Sequence, residues 1–141
     1  MRSGLFFAIF GAVSSALWVT FHFEAARKVS PVLGASIVSI VAVVIGLLIL
    51  AYKGNVDVFG VSRKGIMFLV LVGIAAFASD YFALRTFASD LPLSIGGPIF
   101  VGGGVALAAL IGLVLGEALT WQVALGIILV ASGSALIASI Q

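Results

Sequence analysis

The sequence predicts an all-α membrane protein of five transmembrane helices, and three observations carry that prediction. Hydrophobic residues make up 63% of the 141 positions and charged residues 9%, with a mean hydropathy of +1.37, too apolar for a soluble domain of this size. The few charges mostly mark the breaks between apolar runs. The runs themselves have the length, roughly 17 to 25 residues, that the hydrocarbon layer demands of a helix.

The first run, Gly4 to Phe23, follows Arg2 and precedes Glu24, Arg27 and Lys28. Further apolar spans follow at once, so it reads as a retained span rather than a cleaved signal peptide. Ser30-Pro31 opens the second, residues 31–52, because proline suits a first helical turn where its missing N–H is not needed. Lys53 to Lys64, with Gly54, Asn55, Asp57, Gly60 and Arg63, is the polar, turn-rich loop of the chain. The third span, residues 65–89, is uncharged from Gly65 to Ser79 and then carries Asp80, Tyr81 and Arg85. The fourth, residues 91–116, holds Pro92, Pro98 and seven glycines and is closed by Glu117. The fifth, residues 119–141, has no charge. The whole chain, 1–141, reads as one five-helix domain.

An odd number of spans puts the termini on opposite sides of the membrane. Arg2, Lys53, Arg63 and Lys64 then share one side, and Arg27, Lys28 and Arg85 the other. Four against three barely orients the chain by the positive-inside rule. Either it inserts weakly with its N-terminus inside, or copies insert both ways up, which would permit an antiparallel dimer.

Lipid supplies no hydrophobic drive for helix association, so helices meet where small residues let backbones approach. Gly104, Ala108, Gly112 and Gly116 recur every four residues, on one face of span four. In span five Gly126 and Gly133 are seven apart, and Ala131 with Ala135 and Ser134 with Ala138 add small pairs. Packing within one protomer accounts for these stripes as readily as a dimer does. The start of span four, Ser94-Ile95-Gly96-Gly97-Pro98 followed by Gly102-Gly103-Gly104, is dense in helix-weakening residues. Lipid tolerates these only beside protein or a water-filled cavity, so either a bend, a break or a substrate contact near Gly103, or simply close helix packing, is expected there.

An ionisable group deep in a membrane is expensive and marks a functional site by default. Asp80 is the strongest candidate, fifteen residues after Gly65. Arg85 lies five residues further, about 140° around the helix, which is poor geometry for a pair, so each needs another partner. On span one Ser14, Trp18 and His22 follow at intervals of four and share a face. Trp18 is suited to stacking on a flat or cationic substrate, and imidazole is the side chain that changes charge near neutral pH. The plainer alternatives make Trp18 a belt or packing residue, His22 interfacial, Arg85 a snorkelling side chain and Asp80 satisfied by a neighbouring helix. Glu24 with Arg27 and Lys28 has the spacing of an interfacial ion pair.

Several classes fall away. The charge of +2 is too small and scattered for a nucleic-acid binder. With no cysteine and a single histidine there is no thiolate or His-cluster metal site. No Ser/His/Asp set, phosphate loop or HExxH pattern occurs, so neither an enzyme nor a cofactor is expected.

The segment Gly116-Glu117-Ala118-Leu119-Thr120-Trp121-Gln122, with Pro98 before it and Gly126 and Gly133 after it, resembles the closing part of EamA-type domains of the drug/metabolite transporter superfamily. Trp18 in span one, Ser30-Pro31 before span two and the five-helix layout extend the likeness more loosely over the whole chain. Asp80, Arg85 and the glycine-rich start of span four lie outside the pattern. The resemblance implies one half of an inverted-repeat transporter fold, a structural turn at Glu117, and an antiparallel homodimer with a central cavity for a small molecule. The expected function is a secondary transporter of small metabolites or drugs in the cell (inner) membrane, working by alternating access. Its substrate-contact candidates are Ser14, Trp18, His22, Asp80, Tyr81 and Gly103, and its candidates for a coupling ion or charge are Asp80 and Arg85. Two alternatives stand beside it. One is a small multidrug resistance type exporter, which uses four spans and a glutamate in the middle of span one, where this chain has none and Glu24 sits at the span end. The other is a non-transporting helper subunit that packs its glycine stripes on another membrane protein.

Overall fold

The computed structural model describes residues 2–54, 60, 62–118 and 120–139, and gives side-chain surroundings from Gly4 onward. Among them are five α-helices and no strand: α1 (Arg2–Ala26), α2 (Pro31–Lys53), α3 (Arg63–Ala88), α4 (Leu93–Val114) and α5 (Trp121–Ala138). All five are long and apolar enough to cross a membrane, which makes the chain an integral, multi-pass membrane protein. The expected spans agree with them to within about three residues at the described ends. Asn55, Asp57, Leu119, Ile140 and Gln141, parts of the expected loop and fifth span, lie outside the described residues.

Local chemistry explains the helix ends. Ser30, extended at φ −63° and ψ 143°, precedes Pro31 at the first turn of α2, and Gly54 closes that helix at φ 68°, its N–H donating to Leu50 O at 3.2 Å. Ser62 caps α3 by accepting from Gly65 N at 3.1 Å. Hydroxyls within the spans satisfy themselves: Ser14 donates to Phe10 O and Thr20 to Ala16 O, each at 2.9 Å.

The helices form two compact units, Met1–Ser89 and Asp90–Gln141. In the first, α3 packs against both α1 and α2. Its buried residues are Val19, His22 and Ala26 of α1, Ala35 of α2, and Asp80, Ala83, Leu84 and Phe87 of α3. They cluster at the end where α1 turns into α2. Small side chains at Ala35 and Ala83, and Gly34 pressed against Leu84 Cδ1, allow the close approach. Phe23 meets Phe87 edge-to-face with ring centres 5.6 Å apart.

In the second unit α4 packs on α5. Instead of breaking at its glycines, α4 runs continuously through Gly96, Gly97, Pro98 and Gly102–Gly104. Gly102 is the contact point: a Cβ there would run into the Ser134 side chain, whose hydroxyl donates to Pro98 O at 3.1 Å. Gly103 lines a cleft of about 220 Å³ beside Gly102, Ala106, Ala131, Ser134 and Ala138. Gly104, Gly126 and Gly133 have open space where a Cβ would stand, and Ala108 is exposed. Gly112 is buried under Glu117, with a Cβ position 2.8 Å from Glu117 Oε2.

Gly116 is not on the α4 face at all. The helix stops at Val114, and Gly116 takes φ 87° in the turn that follows. Its N–H donates to Leu113 O and that of Glu117 to Gly112 O, each at 3.0 Å, the two bonds of a Schellman motif. Thr120 then caps α5, its hydroxyl accepting from Val123 N at 3.4 Å. The Gly-Glu-x-Leu-Thr segment is therefore a helix stop followed by a helix start.

Candidate functional site

The first unit holds the candidate site. On α1 the four-residue spacing sets Trp18 and His22 one above the other, ring centres 4.3 Å apart and tilted by 43°. Asp80 reaches them from α3. The Trp18 indole Nε1 donates to Asp80 Oδ1 at 2.8 Å. His22 Nε2 lies 3.1 Å from the same oxygen. On the other side of the ring, His22 Nδ1 is 2.8 Å from Trp18 O. A carbonyl oxygen only accepts, so Nδ1 carries a hydrogen.

Burial makes this arrangement consequential. The His22 and Asp80 side chains are 5% and 9% exposed. Trp18 and Asp80 each stand eight residues from the end of their helices, Ala26 and Ala88, or about 12 Å at 1.5 Å per residue. The carboxylate is therefore inside the apolar span. Despite this proximity the two atoms form no hydrogen bond, and among the described residues His22 Nε2 is the buried side-chain polar atom without one.

Beside the cluster lies a cavity of about 320 Å³ whose wall includes Trp18, Phe21 and His22 of α1, Gly34 and Val38 of α2, and Leu84 of α3. It is almost wholly apolar. Gly34 matters here because any side chain at that position would occupy the space and press on Leu84.

The other candidates stand apart. Ser14 is exposed and bonded back to Phe10 O. Arg85 Nη1 donates to the Tyr81 hydroxyl at 2.9 Å, so Arg85 and Asp80 each have partners other than one another. Glu24 and Lys28 form an exposed pair at 3.6 Å near the end of α1. Among the described residues no three His, Cys, Asp or Glu side chains come together to hold a metal ion. Sequence reasoning missed the cavity wall beyond the two ring residues. Phe21, three residues from Trp18 on the same face, and Gly34, a lone glycine early in an apolar span, were the available signals.

No protein-family model matches the chain, and neither a curated protein nor a solved structure matches it.

Proposed function

We propose that the chain is a secondary transporter of small molecules, working by alternating access as an antiparallel homodimer in the cell membrane. One observation carries the reading: a buried carboxylate held by an indole and faced by an imidazole, beside an apolar cavity of about 320 Å³, inside membrane-spanning helices. A buried acid in lipid is costly to keep and is retained where it serves an ion or substrate. The cavity is of the size that holds a small ligand. The balanced distribution of basic residues and the likeness of residues 116–122 to EamA-type domains of the drug/metabolite transporter superfamily support the dimeric, inverted form. On this reading Trp18, His22 and Asp80 are the working residues.

The test is solute flux into liposomes holding the purified protein, across panels of metabolites and lipophilic drugs. The wild type moves at least one solute, and Asp80→Asn abolishes or reshapes that flux. Unchanged flux of every transported solute in Asp80→Asn removes Asp80 from the mechanism.

A further inference from the structure

His22 and Asp80 raise a question of proton count that the transport reading leaves open. With its Nδ1–H committed to Trp18 O, a neutral His22 ring presents a lone pair at Nε2. Nε2 would then lie 3.1 Å from a carboxylate oxygen, two acceptors close together in a buried site with no hydrogen bond between them. The contact becomes attractive when one proton is present, on Nε2 as an imidazolium beside a carboxylate or on the oxygen of a carboxylic acid beside a neutral ring. Either way the pair is neutral when loaded and carries one negative charge when empty. The single proton decides whether a net charge stays buried in the apolar layer.

We propose that His22 and Asp80 form an exchangeable one-proton site, and that a proton is the coupling ion of this protein. Loading transfers a proton from water to the lone pair on Nε2 or Oδ1. One N–H or O–H bond forms, the donor keeps the electron pair of the bond it loses, and nothing is oxidised or reduced. A metal cation suits the place poorly, since hard cations need several oxygen ligands and Asp80 Oδ1 is instead met by an indole N–H and an imidazole. Of the other ionisable groups of the three packed helices, Arg2, Tyr52, Lys53, Arg63 and Lys64 belong to the helix ends opposite the pair. Tyr81 and Arg85 on α3 are bonded to one another, Glu24, Arg27 and Lys28 stand exposed at the end of α1, and α2 brings no ionisable side chain between Pro31 and Ala51. Trp18 reports on the site, because its N–H rests on the same carboxylate oxygen.

Only the coupling role rests on the transport reading; proton binding is measured without any solute. The chain has one histidine and two tryptophans, so nitrogen-15 labelling in lipid gives one imidazole, and Trp121→Phe leaves Trp18 as the only indole. Lowering the pH across the range in which the protein stays folded is expected to move Nε2 from bare to protonated or proton-sharing. Nδ1 stays protonated throughout, and the Trp18 N–H signal shifts with the same midpoint. In Asp80→Asn that response of Trp18 is lost. An Nε2 signal constant over the range overturns the proposal, as does a Trp18 response that persists in Asp80→Asn. Where Asp80→Asn does not fold, the wild-type Nε2 signal decides alone: a transition supports the site and a constant signal overturns it. Flux of a transported solute that ignores an imposed pH gradient overturns the coupling role, whereas a clear Nε2 transition in a protein that moves no solute supports the proton site and defeats the transport reading instead.

Discussion

Trp18 and Asp80, sixty-two residues apart in the chain, are joined by a hydrogen bond of 2.8 Å that ties α1 to α3. Trp18→Phe keeps most of the aromatic volume and deletes the donor. Hydrogen bonds between membrane helices average about 0.6 kcal/mol, but a bond to a charged group is worth roughly 1.5–3 kcal/mol. The partner left behind here is a buried carboxyl oxygen, so the upper range applies when Asp80 is ionised. Thermal unfolding in detergent should show Trp18→Phe clearly less stable than the wild type, while Trp121→Phe, at a residue 71% exposed, should be close to neutral. Equal stability of the two variants would remove the bond from the energetics of the unit.

Gly34 separates two roles of one position, close packing on Leu84 and an open cavity wall. Gly34→Ala meets the tip of the buried Leu84, which has the adjoining cavity to turn into, so its cost should fall at the low end of the roughly 1–3 kcal/mol typical of overpacking. Gly34→Leu fills space that is now part of the cavity. Solute binding or flux should fall sharply in Gly34→Leu and much less in Gly34→Ala, with both proteins still extracted as folded membrane proteins. Unimpaired flux in Gly34→Leu would place the substrate elsewhere.

Gly116 at φ 87° occupies a region that costs residues with a Cβ roughly 1–2 kcal/mol. Gly116→Ala should therefore lower the stability of the α4–α5 unit by about 1 kcal/mol or more, and Gly116→Asn by less, since asparagine tolerates that conformation. Hydrogen exchange at the Gly116 and Glu117 amides, the donors of the stop motif, reads the effect locally. Matched exchange in all three proteins would contradict the backbone account.

Much of the fold is legible in the sequence, because membrane helices announce themselves by length and apolarity, and charges mark their ends. Trp18, His22 and Asp80 also stood out, since polar groups within apolar runs are costly and few. What stayed hidden was that they meet. The rotation of α1 about its axis relative to α3 depends on packing among residues such as Val19, Phe23 and Ala26 of α1 and Ala83 and Phe87 of α3, and no local pattern states it. The same reason explains the glycine stripes. Spans four and five carry small residues on several faces, and four-residue spacing alone does not choose Gly102 with Ser134 over Gly104 or Gly133.

That choice can be tested by paired substitutions of the same chemistry. Gly102→Leu drives a branched side chain into Ser134 and displaces the hydroxyl from Pro98 O. Overpacking of this kind costs typically about 1–3 kcal/mol, and the α4–α5 unit should lose stability by that order. Gly104→Leu enters open space and should leave the unit nearly unchanged. If the exposed stripe serves pairing between protomers, Gly104→Leu lowers cross-linked dimer yield without lowering thermal stability. Comparable destabilisation by both variants would show that the face carrying Gly104 is already packed within one chain.

The charge balance makes the antiparallel dimer testable by genetics as well as by labelling. Arg2, Lys53, Arg63 and Lys64 fall on one side of a five-span chain and Arg27, Lys28 and Arg85 on the other, a difference of one basic residue. Two added lysines beside Lys53 should fix one orientation, and two beside Lys28 the opposite one, because short-loop basic residues set insertion. Cysteines placed near each terminus, in a chain that has none of its own, report the orientation by labelling from each side. Each fixed variant should be inactive alone and active when made together with its opposite, since only the mixture supplies both orientations. Full activity of a single fixed variant would mean that one orientation suffices, and the working unit would then be a parallel assembly or a single chain.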